Sequence, residues 1–231
     1  MAAVKVEDAA AYSAELQTLL RGHRDAETAA GMTAYMRNQF SFLGIRTPER
    51  AALTKTFTKV HGFPQGETLE AVVRDLWAQP EREFHYTAMV LMEKRKKQLP
   101  PEQTALLEML ITTHAWWDTV DLLAGHFAGA LFAMHPELIP AYTEKWIASD
   151  NLWLRRSAIL FQLGYKGRTD AALLFALIRR TAHEEEFFIR KAIGWALREY
   201  GKTDAGAVRA FVRETPLSPL SVREALKHIG D

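Results

Sequence analysis

The chain of 231 residues contains no cysteine. That excludes disulfides, thiol nucleophiles, cysteine-type zinc sites and cysteine-ligated iron–sulfur clusters. It fits a reducing compartment, and a cytoplasmic location is expected. No apolar run approaches the ~18 residues of a membrane span. Residues 1–8 carry no apolar signal core, so export is not expected either. An excess of one charge is also missing: 29 Lys and Arg face 28 Asp and Glu, a formal net charge of +1. Any basic patch must therefore be balanced by acid elsewhere. There is no G-x-S-x-G, no P-loop and no G-x-G-x-x-G, so common hydrolase, nucleotidase and dinucleotide readings lack support. The eight histidines are scattered. His183-Glu184-Glu185-Glu186-Phe187 begins like a zinc-binding helix but lacks the second histidine, so neither metal nor other cofactor is expected.

Strand-like alternation is absent as well, and helical periodicity takes its place. Ile159, Leu160 and Leu163, and Phe188, Ala192 and Trp195, repeat near 3.6 residues. Start signals are frequent: Thr47-Pro48-Glu49, His135-Pro136-Glu137, Ser149-Asp150-Asn151 and Thr203-Asp204. The pattern predicts roughly a dozen helices of mostly 10 to 16 residues. Gly62-Phe63-Pro64-Gln65-Gly66 reads as a turn, not a domain boundary. One all-α domain over residues 1–231 is expected.

An internal repeat lies beneath the helices. Arg50-Ala51-Ala52, Tyr86-Thr87-Ala88, Asp121-Leu122-Leu123, Arg156-Ser157-Ala158, Arg190-Lys191-Ala192 and Arg223-Glu224-Ala225 superpose. Their lead positions are separated by 36, 35, 35, 34 and 33 residues. Such a period fits a helix pair, and stacked pairs make an α-solenoid. The lead residues are mostly basic, with Asp121 the one acid. They could line one side of the superhelix. The plainer reading is that each Arg pairs with an acid of a neighbouring repeat, as packing ladders do.

Chemistry concentrates in Trp116-Trp117-Asp118-Thr119-Val120-Asp121. In a helix, Trp117 and Asp121 share a face. An indole beside a carboxylate suits a cationic ligand, or a reaction that builds positive charge. The plainer alternative is a core Trp and a solvated Asp. Lys191, Trp195 and Arg198 form a stripe, and Trp153 and Arg156 another. Aromatics interleaved with cations suit a nucleic-acid backbone with exposed bases. Arg179-Arg180 and Lys94-Arg95-Lys96-Lys97 add charge; the second run reads better as a solvated helix C-terminus.

Several segments are identifiable together. They are Tyr35-Met36-Arg37-Asn38, residues 42–50 (Phe42-Leu43-Gly44-Ile45-Arg46-Thr47-Pro48-Glu49-Arg50), Leu76-Trp77, Pro80-Glu81-Arg82-Glu83-Phe84, Trp116 to Asp121, Lys145 to Arg156, and Phe187 to Tyr200. In these the chain closely resembles the AlkD family of DNA alkylation repair glycosylases, over roughly residues 30 to 229. Residues 1 to 25 match only loosely.

The resemblance implies a HEAT-like α-solenoid whose concave face holds double-stranded DNA. It implies a monofunctional, metal-free enzyme that removes cationic N3- and N7-alkylpurines, without base flipping. It assigns Tyr35, Trp117 and Trp195 to an aromatic cleft, Asp121 to the catalytic carboxylate, and Arg156 and Arg198 to the DNA backbone. Lys191 joins them as a substrate-binding residue through its stripe, and a monomer is expected. The chemistry agrees. An alkylated purine already carries positive charge, and its departure leaves an oxocarbenium-like sugar that a carboxylate and electron-rich rings stabilise. The rivals are a non-catalytic HEAT scaffold for protein or DNA, and a silent damage binder of the same fold.

Overall fold

The computed structural model describes Val6 and residues 8–230, apart from the side chain of Lys97. Every regular element among the described residues is helical. The one extended pairing there is a bridge between Ser41 and Glu81. The chain forms two compact units, one up to Lys96 and one from Lys97 onward. The N-terminal unit contains α1 (Ala9–Arg21), α2 (Ala26–Tyr35), α3 (Thr47–His61), α4 (Gly66–Trp77) and α5 (Arg82–Glu93). The C-terminal unit contains α6 (Gln103–Thr112), α7 (Trp117–Leu122), α8 (Gly129–Met134), α9 (Ile139–Ile147), α10 (Leu152–Leu160), α11 (Ala171–Thr181), α12 (Phe187–Gly201), α13 (Ala205–Glu214) and α14 (Pro219–Leu226).

The repeat has a structural basis. Helices α3, α5, α7, α10 and α12 begin at Thr47, Arg82, Trp117, Leu152 and Phe187, each 35 residues after the last. Each lead residue falls on the fourth or fifth position of its helix, and α14 carries the sixth. The third residue of the pattern is buried at Ala88, Leu123, Ala158, Ala192 and Ala225. The first repeat departs from the register: Ala52 is exposed.

Local chemistry sets the boundaries. Asp8, Asp25, Asn151, Asp170, Asp204 and Ser218 each accept hydrogen bonds from first-turn amides, satisfying otherwise orphaned donors. Two expected starts differ. Thr47 lies inside α3, whose flanking residue Arg46 makes no capping hydrogen bond; Pro48, already preset for the helix, fills the first turn. His135-Pro136 opens a short 3-10 turn, Pro136–Leu138, before α9. There the chain bends by 109° from the rod that ends at Met134. Several helices are shorter than expected. Between α7 and α8 the rod from Trp117 to Met134 passes through a π-helical segment, Leu123–Ala128, and α9 and α10 have nine residues each.

No single helix among the described residues is long and apolar enough to cross a membrane. Gly62, at φ 87°, ends α3, and Gly66 opens α4 within the same unit. Lys94 caps α5, and Lys96 pairs with Glu93, so this basic run closes the N-terminal unit; the Lys97 side chain lies outside the described residues.

Candidate active site

In the C-terminal unit, Trp116 is extended and turns the chain into α7, whose first residue is Trp117. Asp121 follows one turn later on the same face. Val120, Leu123 and Ala124 are buried and seat this helix. Trp117 and Asp121 open onto a cleft of about 360 Å³, together with Arg156 from α10 and Lys191, Trp195 and Arg198 from α12. Six of the seven expected site residues thus converge on one cavity. The seventh, Tyr35, ends α2 in the N-terminal unit and is 72% exposed.

Asp121 is not a free carboxylate. Arg156 grips it in a fork, with Nε donating to Oδ1 at 2.7 Å and Nη2 to Oδ2 at 2.9 Å. The third guanidinium nitrogen, Nη1, donates to the carbonyl of Phe188. Arg156 is only 4% exposed, against 18% for the Asp121 side chain. Two lead residues of successive repeats therefore pair directly, as a packing ladder predicts. Burial pushes the Asp121 carboxyl above the ordinary carboxylate range. The hydrogen bonds and charge of Arg156 pull it back, and Asp118 adds a smaller upward push.

The other end of the cleft holds a second acid that the sequence reading did not single out. Glu224, on α14, accepts from Lys191 Nζ at 3.0 Å and from Arg198 Nη1 at 2.6 Å. The hydrogen bond from Lys191 is the main force holding its carboxyl below the ordinary range, and the charges of Lys191 and Arg198 add to it. Gly194 allows this arrangement. A Cβ there would stand 2.5 Å from Cβ of Glu224 and 3.0 Å from the carbonyl oxygen of Ser221. The missing side chain lets α14 lie close against α12. Glu224 had one legible signal, its place beside Arg223 in the sixth repeat.

Phe187 and Phe188 also line the cleft, and neither was foreseen as a site residue. Phe188 packs against Trp116 and Trp153, with ring centroids 5.2 and 5.0 Å apart, and so backs the cleft wall. Trp153 is accordingly part of an aromatic buttress. Phe187 is 55% exposed at the mouth. Among the described residues, no group of three or more His, Asp or Glu is placed to hold a metal ion.

A family model for the DNA alkylation repair enzyme matches residues 16–229. The chain belongs to that family. Among solved structures, this family member is similar to a predicted DNA alkylation repair enzyme from Enterococcus faecalis. The two share 37% sequence identity and a TM-score of 0.83, over 90% of this chain and 97% of the other. The comparison gives the DNA alkylation repair enzyme an AlkD-like, all-α fold. No curated protein matches it. Family membership gives this chain a role in the repair of alkylated DNA.

Proposed function

We propose that the chain is a monofunctional, monomeric and cytoplasmic DNA glycosylase. It hydrolyses the N-glycosidic bond of N3- and N7-alkylpurines in duplex DNA and leaves an abasic site. The observation that carries this reading is the meeting of Trp117, Trp195 and Asp121 in one cleft that also holds cations. The substrate base brings its own positive charge and leaves without a general acid. As it departs, the sugar gains oxocarbenium character. Trp117 and Trp195 offer π faces to that cation, and a half-buried site makes such attraction worth more than in water. Asp121 supplies negative charge at a fixed place and has lone pairs left to orient the attacking water.

Arg156 takes a role different from the backbone contact that resemblance implies. Its fork is committed to Asp121 and Phe188, so we read it as a positioning residue. It keeps a buried carboxylate ionised and aimed, at the cost of part of its net charge. The phosphate contacts fall to Lys191 and Arg198, which the DNA backbone would take from Glu224.

The decisive assay is release of 7-methylguanine from alkylated duplex DNA, with chelator present and no metal added. Free base and a matching number of abasic sites are expected. A protein that binds the duplex but releases no base under any condition is a silent damage binder. The full pairing of Asp121 with Arg156 is the observation that favours that second reading.

A further inference from the structure

The N-terminal unit holds a cation whose surroundings are incomplete. Arg50, on α3, is 7% exposed. Its Nε is sealed from solvent and has no hydrogen-bond partner. Among the described residues no group accepts a hydrogen bond from the rest of its guanidinium. It lies instead against the ring of Tyr86 on α5, 4.7 Å from the centroid.

The neighbouring groups do not neutralise it. Glu83 is the carboxylate that acts on it, but its oxygens hold the loop: Oε1 takes the amides of Gly44 and Ile45, and Oε2 that of Leu43. Its charge reaches Arg50 only through space. Arg82 adds a second guanidinium 5.8 Å from the Tyr86 ring. His85 brings no charge of its own. An Arg cannot accept, so the 3.0 Å contact from Arg82 Nη1 makes His85 Nδ1 the acceptor. Nε2 then carries the proton to the Gln79 carbonyl.

A buried guanidinium without a hydrogen-bonded anion is costly. Burial accordingly depresses the Arg50 pKa. The repeat shows what is missing. Arg50 and Tyr86 are the lead residues of successive repeats, as Asp121 and Arg156 are in the C-terminal unit. There the pair is an anion and a cation. Here it is a cation and a neutral phenol. A planar fork with unused donors, its Nε already sealed from water, matches the oxygens of a phosphate.

We propose that Arg50, stacked on Tyr86, is an anion-binding point in the N-terminal unit that takes a phosphodiester of the DNA backbone. This rests on the reading of the chain as a DNA-binding enzyme, and its test does not depend on base release.

The test compares wild type with Arg50→Met and Arg50→Lys on undamaged duplex DNA across a salt series. Calorimetric melting runs alongside, and single phosphates are replaced by methylphosphonate. Arg50→Met should melt at or above the wild-type temperature, because it removes an uncompensated buried charge. It should weaken binding about tenfold, the loss of one charge-assisted contact. It should also flatten the dependence of log K on log salt by about 0.9. Arg50→Lys should keep the slope. One methylphosphonate position should weaken wild type and leave Arg50→Met unaffected. An unchanged slope, or equal losses from both proteins at every position, would overturn the Arg50 site alone; a lowered melting temperature with an unchanged slope would mark Arg50 as a packing residue. Failure of wild type to bind duplex DNA at all would remove the DNA reading itself.

Discussion

The Asp121–Arg156 pair ties catalysis to stability at the level of single residues. Asp121→Asn keeps the shape and removes the charge. Excision should slow by about 10² to 10³, or roughly 3 to 4 kcal/mol in the barrier. The slowing should be smallest for lesions that leave easily, such as 3-methyladenine and 7-methylguanine. The same change strands the buried Arg156, so the variant should also lose on the order of 3 kcal/mol of stability. Rates must therefore be read well below its melting transition. Wild-type excision in Asp121→Asn, with slow excision in Trp117→Ala and Trp195→Ala, would assign the chemistry to the aromatic rings alone.

Arg156→Gln tests the positioning role through pH. Burial raises the Asp121 pKa and Arg156 lowers it. Removing Arg156 should shift the acid limb of the pH–rate profile to higher pH, with partial recovery of rate as pH rises. A loss of rate that is the same at every pH would mean that Arg156 does not act through the carboxylate. The linkage sign follows from the raised pKa. The folded state holds this proton more tightly than the unfolded chain does. The stability it contributes therefore falls as pH rises from the ordinary carboxylate value to the raised one. Glu224 has the opposite sign: its depressed pKa stabilises the fold above the ordinary value, and that contribution disappears as pH falls through the depressed one.

Between elements, the contact of α12 with α14 decides how the cleft presents its cations. Gly194→Ala places a methyl group against Glu224 and the Ser221 carbonyl. It should cost about 2 kcal/mol, the usual penalty of overpacking. For a chain of this size the melting temperature should drop by roughly 4–8 °C. Glu224→Gln removes the acid without moving the helix. Lys191 and Arg198 should then bind undamaged duplex DNA several-fold more tightly. The salt slope should steepen by about one unit, because one more counterion is released. Unchanged affinity would show that Glu224 does not compete with phosphate. A similar close approach sets the end of α10 against the rod that carries Asp121: a Cβ on Gly129 would stand 2.5 Å from the Phe161 carbonyl oxygen.

At the scale of the whole molecule, a net charge of +1 gives no general attraction to DNA, so binding must come from local cations that acids release. Tyr35 is a clean probe of the N-terminal unit. It lies exposed at the end of α2, so the stability of Tyr35→Ala is measured alongside its binding. Binding to alkylated duplex should weaken if its aromatic ring serves the lesion. Equal affinity of Tyr35→Ala and wild type would exclude it from the substrate contacts.

The helical class was legible because 3.6-residue periodicity and Asp, Asn and Ser caps are local properties. The repeat was legible because each row helix restarts 35 residues after the last, whatever it packs against. Trp117 and Asp121 could be placed together because four residues along a helix fix a shared face. Other features were decided only by tertiary structure. That Arg156 closes on Asp121 depends on α7 and α10 meeting, 35 residues apart in sequence. That Glu224 enters the cleft depends on how closely α14 approaches α12 over Gly194. That Arg50 is left without an anion depends on Glu83 spending its oxygens on a loop. Spacing along one helix is written in the sequence, but the partner of a charge is set by which helices come into contact and how near they lie.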